Sequence, residues 1–192
     1  RAADTLPNLQ GLAAWNTILP KQQPAQLLSE QISADVTIIG AGFAGMWSAL
    51  SAIRLLDQHQ RLDVSVTLLA PQAELRVRPR FYETDLATTV APLGPLFDAV
   101  GVNFVQGCAT RIDATGKRVI YRETGGAQAE LSYDRLILAS GSQVARPPLA
   151  GIDRFAFDVD SFESAQKLEA HLQSLRDKPG SQARNTVVVV GG

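Results

Sequence analysis

An α/β fold, a parallel sheet wound with helices and interrupted by a β-meander, follows from three features of the 192-residue sequence. A short β-branched run, Asp35-Val-Thr-Ile-Ile39, feeds into Gly40-Ala-Gly-Phe-Ala-Gly45, and a helical pattern follows at once. After residue 106 the strand–helix alternation gives way to short strands separated by turn residues. The chain then closes on Asn185-Thr-Val-Val-Val-Val-Gly-Gly192, a second β-branched run leading into glycine. G-x-G-x-x-G placed after a strand and opening a helix is the fingerprint of a Rossmann-like dinucleotide-binding unit.

Each residue of the fingerprint has a physical task. Gly40 permits the tight strand-to-helix turn, Gly42 lets backbone approach a pyrophosphate, and Gly45 lets the helix lie close to its strand. The helix N-terminus adds unpaired N–H groups and a partial positive charge.

In chain order, residues 1–32 carry Pro7, Pro20 and Pro24 without sustained periodicity and read as an extension, with a short helix near Gln26–Gln31. Residues 33–149 form the first nucleotide-binding unit. Asp35–Ile39 is its first strand. Met46, Ala49, Leu50, Ile53 and Leu56 then recur at three and four, which is one helix face. Val64–Leu69 is a second strand, parallel to the first. An Arg- and Pro-rich loop runs from Ala70 to Pro92, and Pro95–Val100 is a short helix stopped by Gly101. Val102–Gln106 is a third strand. Ala109–Asp113, Lys117–Arg122 and Gln128–Tyr133 form the meander, with turns at 114–116 and 124–126. Leu136–Ala139 returns to a buried parallel strand, and Arg146-Pro-Pro148 then breaks the chain, because proline cannot continue a central strand.

Residues 150–192 read as a linker and the start of a second nucleotide-binding domain, of which the first helix and strand are present. Asp160 and Glu163 fit a capping box, with Asp160 as N-cap. Phe162, Ala165, Leu168, Leu172 and Leu175 form the buried face of the helix, and Pro179-Gly180 ends it. The last strand comes next. Because it stops at Gly-Gly, the sequence reads as an N-terminal fragment of a longer protein, and because it begins with Arg1 it reads as trimmed or processed at its start.

Composition excludes several classes of function. A formal net charge of −1 gives no electrostatic reason for a nucleic-acid or anionic-membrane partner. One cysteine, Cys108, excludes an internal disulfide, a four-cysteine zinc site and a C-x-x-C pair. It reads as a small packed thiol. His59 and His171 lack ligand-like neighbours and read as solvated helix residues, so no metal site is expected. No run of eighteen apolar residues marks a membrane-spanning helix, and Gly11–Leu19 does not read as a signal peptide. No Ser-His-Asp, Cys-His or paired-carboxylate constellation occurs.

Four segments, in this order, carry a resemblance: Gly40–Gly45, Arg76-Val-Arg-Pro-Arg-Phe-Tyr-Glu83, Tyr133-Asp-Arg-Leu-Ile-Leu-Ala-Ser-Gly-Ser142, and Val187–Gly192. Across residues 34–192 the chain resembles the pyridine nucleotide–disulfide oxidoreductase superfamily, most closely its type II NADH dehydrogenase branch. The loop after the second strand holds Arg78 and Glu83 where the disulfide reductases carry a redox C-x-x-x-x-C, so a dithiol relay there is chemically impossible.

The resemblance implies FAD as cofactor and NADH or NADPH as co-substrate. Gly40, Gly42, Phe43, Ala44 and Gly45 would hold the FAD pyrophosphate. Arg78, Pro79 and Arg80 would lie beside the pyrophosphate or isoalloxazine. Ala109 would meet the adenine through its backbone, and Ala139, Ser140 and Gly141 would pass close to the flavin-linked chain. Ala70 stands where the family has an acid for the adenosine ribose. Losing that acceptor costs roughly 1.5–3 kcal/mol unless Glu74 or a backbone carbonyl replaces it. The arginines at 76, 78 and 80 also fit a plainer description as a solvated loop.

The function implied is an FAD-dependent NAD(P)H oxidoreductase passing electrons to a small-molecule acceptor such as a quinone, with no nucleic-acid partner and no transmembrane segment. Its implied location is cytoplasmic, with peripheral membrane attachment through a C-terminal part outside this chain; the fragment alone would be inactive. Two other readings compete with it. One is a nucleotide-binding module without turnover, and the residues following Gly192 discriminate between the two. The other, an ordinary NAD-dependent dehydrogenase, is disfavoured by the meander and the second motif.

Overall fold

The computed structural model describes residues 35–190. The proposed extension with its helix at 26–31, and the final glycine pair, lie outside the described residues. Strand β1 (Val36–Ile39) is followed by helix α1 (Phe43–Gln58), and β2 (Val66–Ala70) pairs parallel with β1. Strands β5 (Asn103–Asp113) and β8 (Arg135–Leu138) flank this pair, both parallel. Strands β6 (Arg118–Glu123) and β7 (Gln128–Ser132) extend the sheet antiparallel, giving the order β7-β6-β5-β2-β1-β8. A parallel sheet with a meander is therefore present.

The period-2 alternation of the central strands divides the core between two faces. Ile38, Val66, Leu68 and Ala70 pack with Met46 and Ala49 of α1 and with Phe97 of α2 (Gly94–Val100). On the other face Ile39 and Leu69 meet Val119 and Tyr121 of the meander. All five apolar positions expected on α1 belong to the first cluster, as buried members or packed against it. Phe97 is fully buried and stacks on Phe104 at 6.1 Å. Gly101, at a φ of 77°, ends α2 in the left-handed conformation that glycine tolerates.

Several expectations need correction. The third strand and the first meander strand are one eleven-residue strand, β5, with a bulge between Ala109 and Arg111. Its first half completes the parallel sheet and its second half pairs with β6, so one strand serves two partners. Gly107 sits at the changeover, where a Cβ would stand 2.5 Å from the Tyr121 ring. Cys108, next to it, is exposed rather than packed, because alternation turns it away from the buried Gly107.

The loop 70–92 contains a two-stranded antiparallel sheet, β3 (Glu74–Arg76) with β4 (Val90–Pro92), and short 3-10 turns at Arg78–Arg80 and Leu86–Thr89. Strands of three residues are too short for a periodic signal. After β8 the chain has no regular structure until the four-residue helix α3 (Ile152–Phe155).

Helix α4 spans Phe162–Ser174, and its N-cap is Ser161, not Asp160. The Ser161 hydroxyl accepts from the Ser164 N–H at 3.1 Å. The serine wins because the Asp160 carboxylate is engaged by Arg78 and by the Val144 N–H. Phe162 and Ala165 pack against Phe81 and Leu86, but Leu172 is 50% exposed. The helix docks through its first turns on the 78–89 segment, and a cleft separates that segment from the later ones. His171 is not simply solvated, since it stacks on Phe157 at 4.5 Å. Residues 186–190 form no strand, and Val187–Val190 are exposed. A strand needs a partner to satisfy its ladder, and none of the described strands lies beside these valines.

Candidate functional site

At the carboxyl ends of β1 and β8 the chain builds a turn from which side chains are excluded. Gly40 has a φ of 109°, and a Cβ there would overlap the Ala139 carbonyl. The amide of Ala139 donates to the Ile39 carbonyl at 2.8 Å, holding the two strand ends together. A Cβ on Gly45 would overlap the Gly40 carbonyl oxygen and lie 3.6 Å from the Ala139 Cβ. Gly40, Gly45, Ala139 and Ser140 thus form one close-packed junction, and Gly141 leaves it at a φ of 74°.

Gly42 differs from its neighbours. Its φ of −70° is ordinary, and a Cβ added there would meet nothing within 4 Å. It is the N-cap of α1, no side chain caps the helix, and the first turn carries no acidic residue. Phe43 and Ala44 are exposed. The start of α1 is thus open at Gly42, Phe43 and Ala44 and has no side-chain acceptor from a cap, which is what a diphosphate requires. On this geometry the residues fit a dinucleotide.

The other expected residues are more dispersed. Ala70 ends β2, is 3% exposed and pairs in register with Gln106. The Gln106 amide donates to the Pro71 carbonyl at 3.0 Å. Ala109 lies three residues further along β5, half-buried opposite Tyr121. Glu74 accepts from Arg76 at 3.3 Å.

The three loop arginines are all paired rather than merely solvated. Arg76 donates to Glu163 at 2.6 Å, and this hydrogen bond holds the Glu163 carboxyl below the usual glutamate range. Arg80 donates to both Glu83 oxygens, at 2.8 and 2.6 Å, and lowers the Glu83 pKa in the same way. Arg78 donates to the Ser142 carbonyl at 3.1 Å, to its hydroxyl at 2.9 Å, and to Asp160. Pro79 is exposed beside it. Sequence reasoning did not single out Ser142 or Asp160 as partners of this loop, 64 and 82 residues away. Asp160 offered a signal, but a capping-box pattern explained it first.

A separate cleft of about 430 Å³ opens between this loop and α4, lined among others by Phe81, Leu86, Leu168, Leu172 and Arg176. None of the expected cofactor residues lines it. Among the described residues no helix is long and apolar enough to cross a membrane.

Comparison with known proteins gives the same frame. The pattern of the pyridine nucleotide-disulphide oxidoreductase family matches residues 34–192. The chain belongs to that family. Among its curated relatives, an NADH dehydrogenase-like protein of Mycobacterium tuberculosis is 46% identical over 160 residues, covering 81% of this chain and 38% of the relative. The demethylphylloquinone reductase of Synechocystis is 28% identical over 169 residues, covering 82% of this chain and 39% of that protein. The chain therefore spans well under half the length of these family members. Among solved structures, NDH2 of Plasmodium falciparum in complex with NADH aligns with a TM-score of 0.63 at 19% identity, covering 76% of this chain and 30% of that one. At that identity the likeness concerns the fold. The family's oxidoreductase character and its nucleotide-binding, Rossmann-type fold agree with the glycine turn.

Proposed function

We propose that the protein containing this chain is an FAD-dependent NAD(P)H oxidoreductase. Residues 33–149 make up the first part of its FAD-binding domain, and 150–192 lead into its NAD(P)H-binding domain, with 1–32 as an extension. The observation that carries the reading is Gly42, an unobstructed glycine at the uncapped N-terminus of α1, beside the Ala139–Gly141 junction. The first-turn amides of α1, with Gly40, Gly42, Phe43, Ala44 and Gly45, hold the pyrophosphate. Ala139, Ser140 and Gly141 bring side-chain-poor backbone near the flavin-linked chain, while Ala109 meets the adenine and Ala70 lies at the ribose.

FAD, when bound, supplies the chemistry that takes hydride from NAD(P)H and passes electrons to an acceptor such as a quinone. This chain needs to supply binding, orientation and electrostatics rather than an acid–base pair. The quinone acceptor is supported by the names of relatives such as the demethylphylloquinone reductase. A cytoplasmic location, with any membrane attachment peripheral, goes with the reading.

The test is spectral and uses the full-length protein. A flavin spectrum should be present and should bleach when NADH or NADPH is added without oxygen. A protein that takes up no FAD overturns the reading, and one that holds flavin unbleached by either nucleotide is a binding module.

A further inference from the structure

We infer that Arg78 and Asp160 form a positioning latch that fixes the crossover 142–160, and that Arg78 is not a counter-charge to the cofactor. Residues 141–150 are all exposed and make no core of their own. Leu149 and Phe155 within the crossover are 55% and 70% exposed. Apolar burial therefore does little to set the path of this segment, and its polar contacts carry more weight than they would in a packed element.

Arg146 pairs with Asp158 and Asp153 within the crossover, and two further contacts meet on one carboxylate. One oxygen of Asp160 accepts from Arg78, and the other accepts from the Val144 N–H at 2.9 Å. The second terminal nitrogen of Arg78 reaches the Ser142 carbonyl and hydroxyl. A single guanidinium thus grips both ends of the crossover, using the fork of donors that distinguishes arginine from lysine. The Asp160 N–H donates in turn to Asp158 at 3.1 Å, and Asp158 also pairs with Arg146. Directly after Asp160 comes Ser161, the N-cap of α4. Whatever fixes Asp160 also fixes where α4 begins.

Charge argues against a second duty for Arg78. Its cation is already matched by a carboxylate that is 19% exposed, so little net positive charge is left for a phosphate or a reduced flavin. The anion site suggested by the fold is the end of α1, whose first turn has no acid to compete. Resting on the proposed function, the latch sets how the portion beginning near residue 150 meets the first domain. Loosening it should slow hydride delivery without weakening FAD.

The experiment compares Arg78→Ala, Arg78→Lys, Asp160→Asn and the double variant R78A/D160N in the full-length protein. Three quantities are measured: amide exchange at Val144, FAD affinity by titration of the apoprotein, and the rate of anaerobic flavin bleaching by NADH. Arg78→Ala should speed Val144 exchange although Arg78 does not touch that amide, and Arg78→Lys should restore the protection only in part. Both Arg78→Ala and Asp160→Asn should slow bleaching about tenfold, with the double variant no slower than either, as expected of two residues acting as one unit. FAD affinity should stay within about twofold of the parent in all variants.

If Arg78→Ala weakens FAD tenfold while Asp160→Asn does not, Arg78 is a cofactor ligand and the latch is wrong. Effects that multiply in the double variant, or Val144 exchange unchanged in Arg78→Ala, overturn it equally. Should the parent protein take up no flavin, the proposed function fails, and Val144 exchange alone decides the latch. If Arg78→Ala does not fold, the same three readings on Arg78→Lys decide it.

Discussion

Gly42→Ala should separate cofactor binding from stability. The backbone at Gly42, with φ −70° and ψ −176°, is open to any L-residue, and the new methyl would meet no atom within 4 Å. Restricting the unfolded chain contributes about 0.4–1 kcal/mol. Alanine is a poorer N-cap than glycine by a similar amount. The two effects offset, so the urea midpoint should move by less than about 1 kcal/mol of stability. A pyrophosphate held by the first-turn amides would meet that methyl directly. Losing one charge-assisted hydrogen bond costs about 1.5–3 kcal/mol, which is roughly tenfold to a hundredfold in FAD affinity.

Gly45→Ala is the control. Its methyl would overlap the Gly40 carbonyl oxygen and stand 2.9 Å from the carbonyl carbon, both backbone atoms that cannot rotate away. Either α1 or β1 must move, at the overpacking cost of about 1–3 kcal/mol or more. Paired urea melts and FAD titrations decide the matter. Gly42→Ala binding FAD as well as the parent would refute the placement of the diphosphate at α1. Gly42→Ala unfolding like Gly45→Ala would refute the claim that Gly42 faces open space.

Three further outcomes test the rest of the structure. Phe97→Ala removes a fully buried ring stacked on Phe104 and should cost about 3–5 kcal/mol, read as a shift of the urea midpoint. Ser161→Ala should cost about 1 kcal/mol, visible as fraying of α4 by amide exchange, whereas an Asp160 N-cap would leave Ser161→Ala silent. The Glu163 pKa is lowered by its hydrogen bond from Arg76, so its contribution is fully present above the unfolded glutamate value of about 4.3. It is lost as the pH falls through the lower folded value. The protection factors of α4 amides, corrected for the slowing of intrinsic exchange in acid, should fall over that range, and Glu163→Gln should remove most of the dependence.

The parts of the fold legible in the sequence were those set by local periodicity and glycine chemistry. The α1 face from Met46 to Leu56, the stop at Gly101 and the turn at Gly40 all depend on neighbours a few residues away. What was hidden depends on distant partners. β5 reads as two strands because its burial pattern changes where its partners change from β2 to the meander. Asp160 matches a cap motif, yet its carboxylate is taken by Arg78, whose attraction has no local trace, and Ser161 caps instead. Val187–Val190 read as a strand by composition, but composition does not supply the neighbouring strand a ladder needs. At the site, the glycine junction was legible because excluded side chains leave a sequence mark. The pairing of the three arginines was not, because a guanidinium looks the same in sequence whether it faces water, phosphate or carboxylate.

The adenosine end bears on how the proposed binding energy must be distributed. The Ala70 side chain is packed into the core with Leu68 and Phe97 and offers no acceptor to a ribose hydroxyl, which leaves that task to backbone carbonyls or neighbouring side chains. Of the nearby side-chain acceptors, Gln72 and Glu74 both accept from Arg76. Arg76 in turn ties Glu163 at the start of α4. The amino end of α1 offers a ligand donors that no capping side chain has claimed. This concentrates binding on the diphosphate, and it makes Gly42, rather than the ribose position, the residue on which the cofactor assignment should be most sensitive.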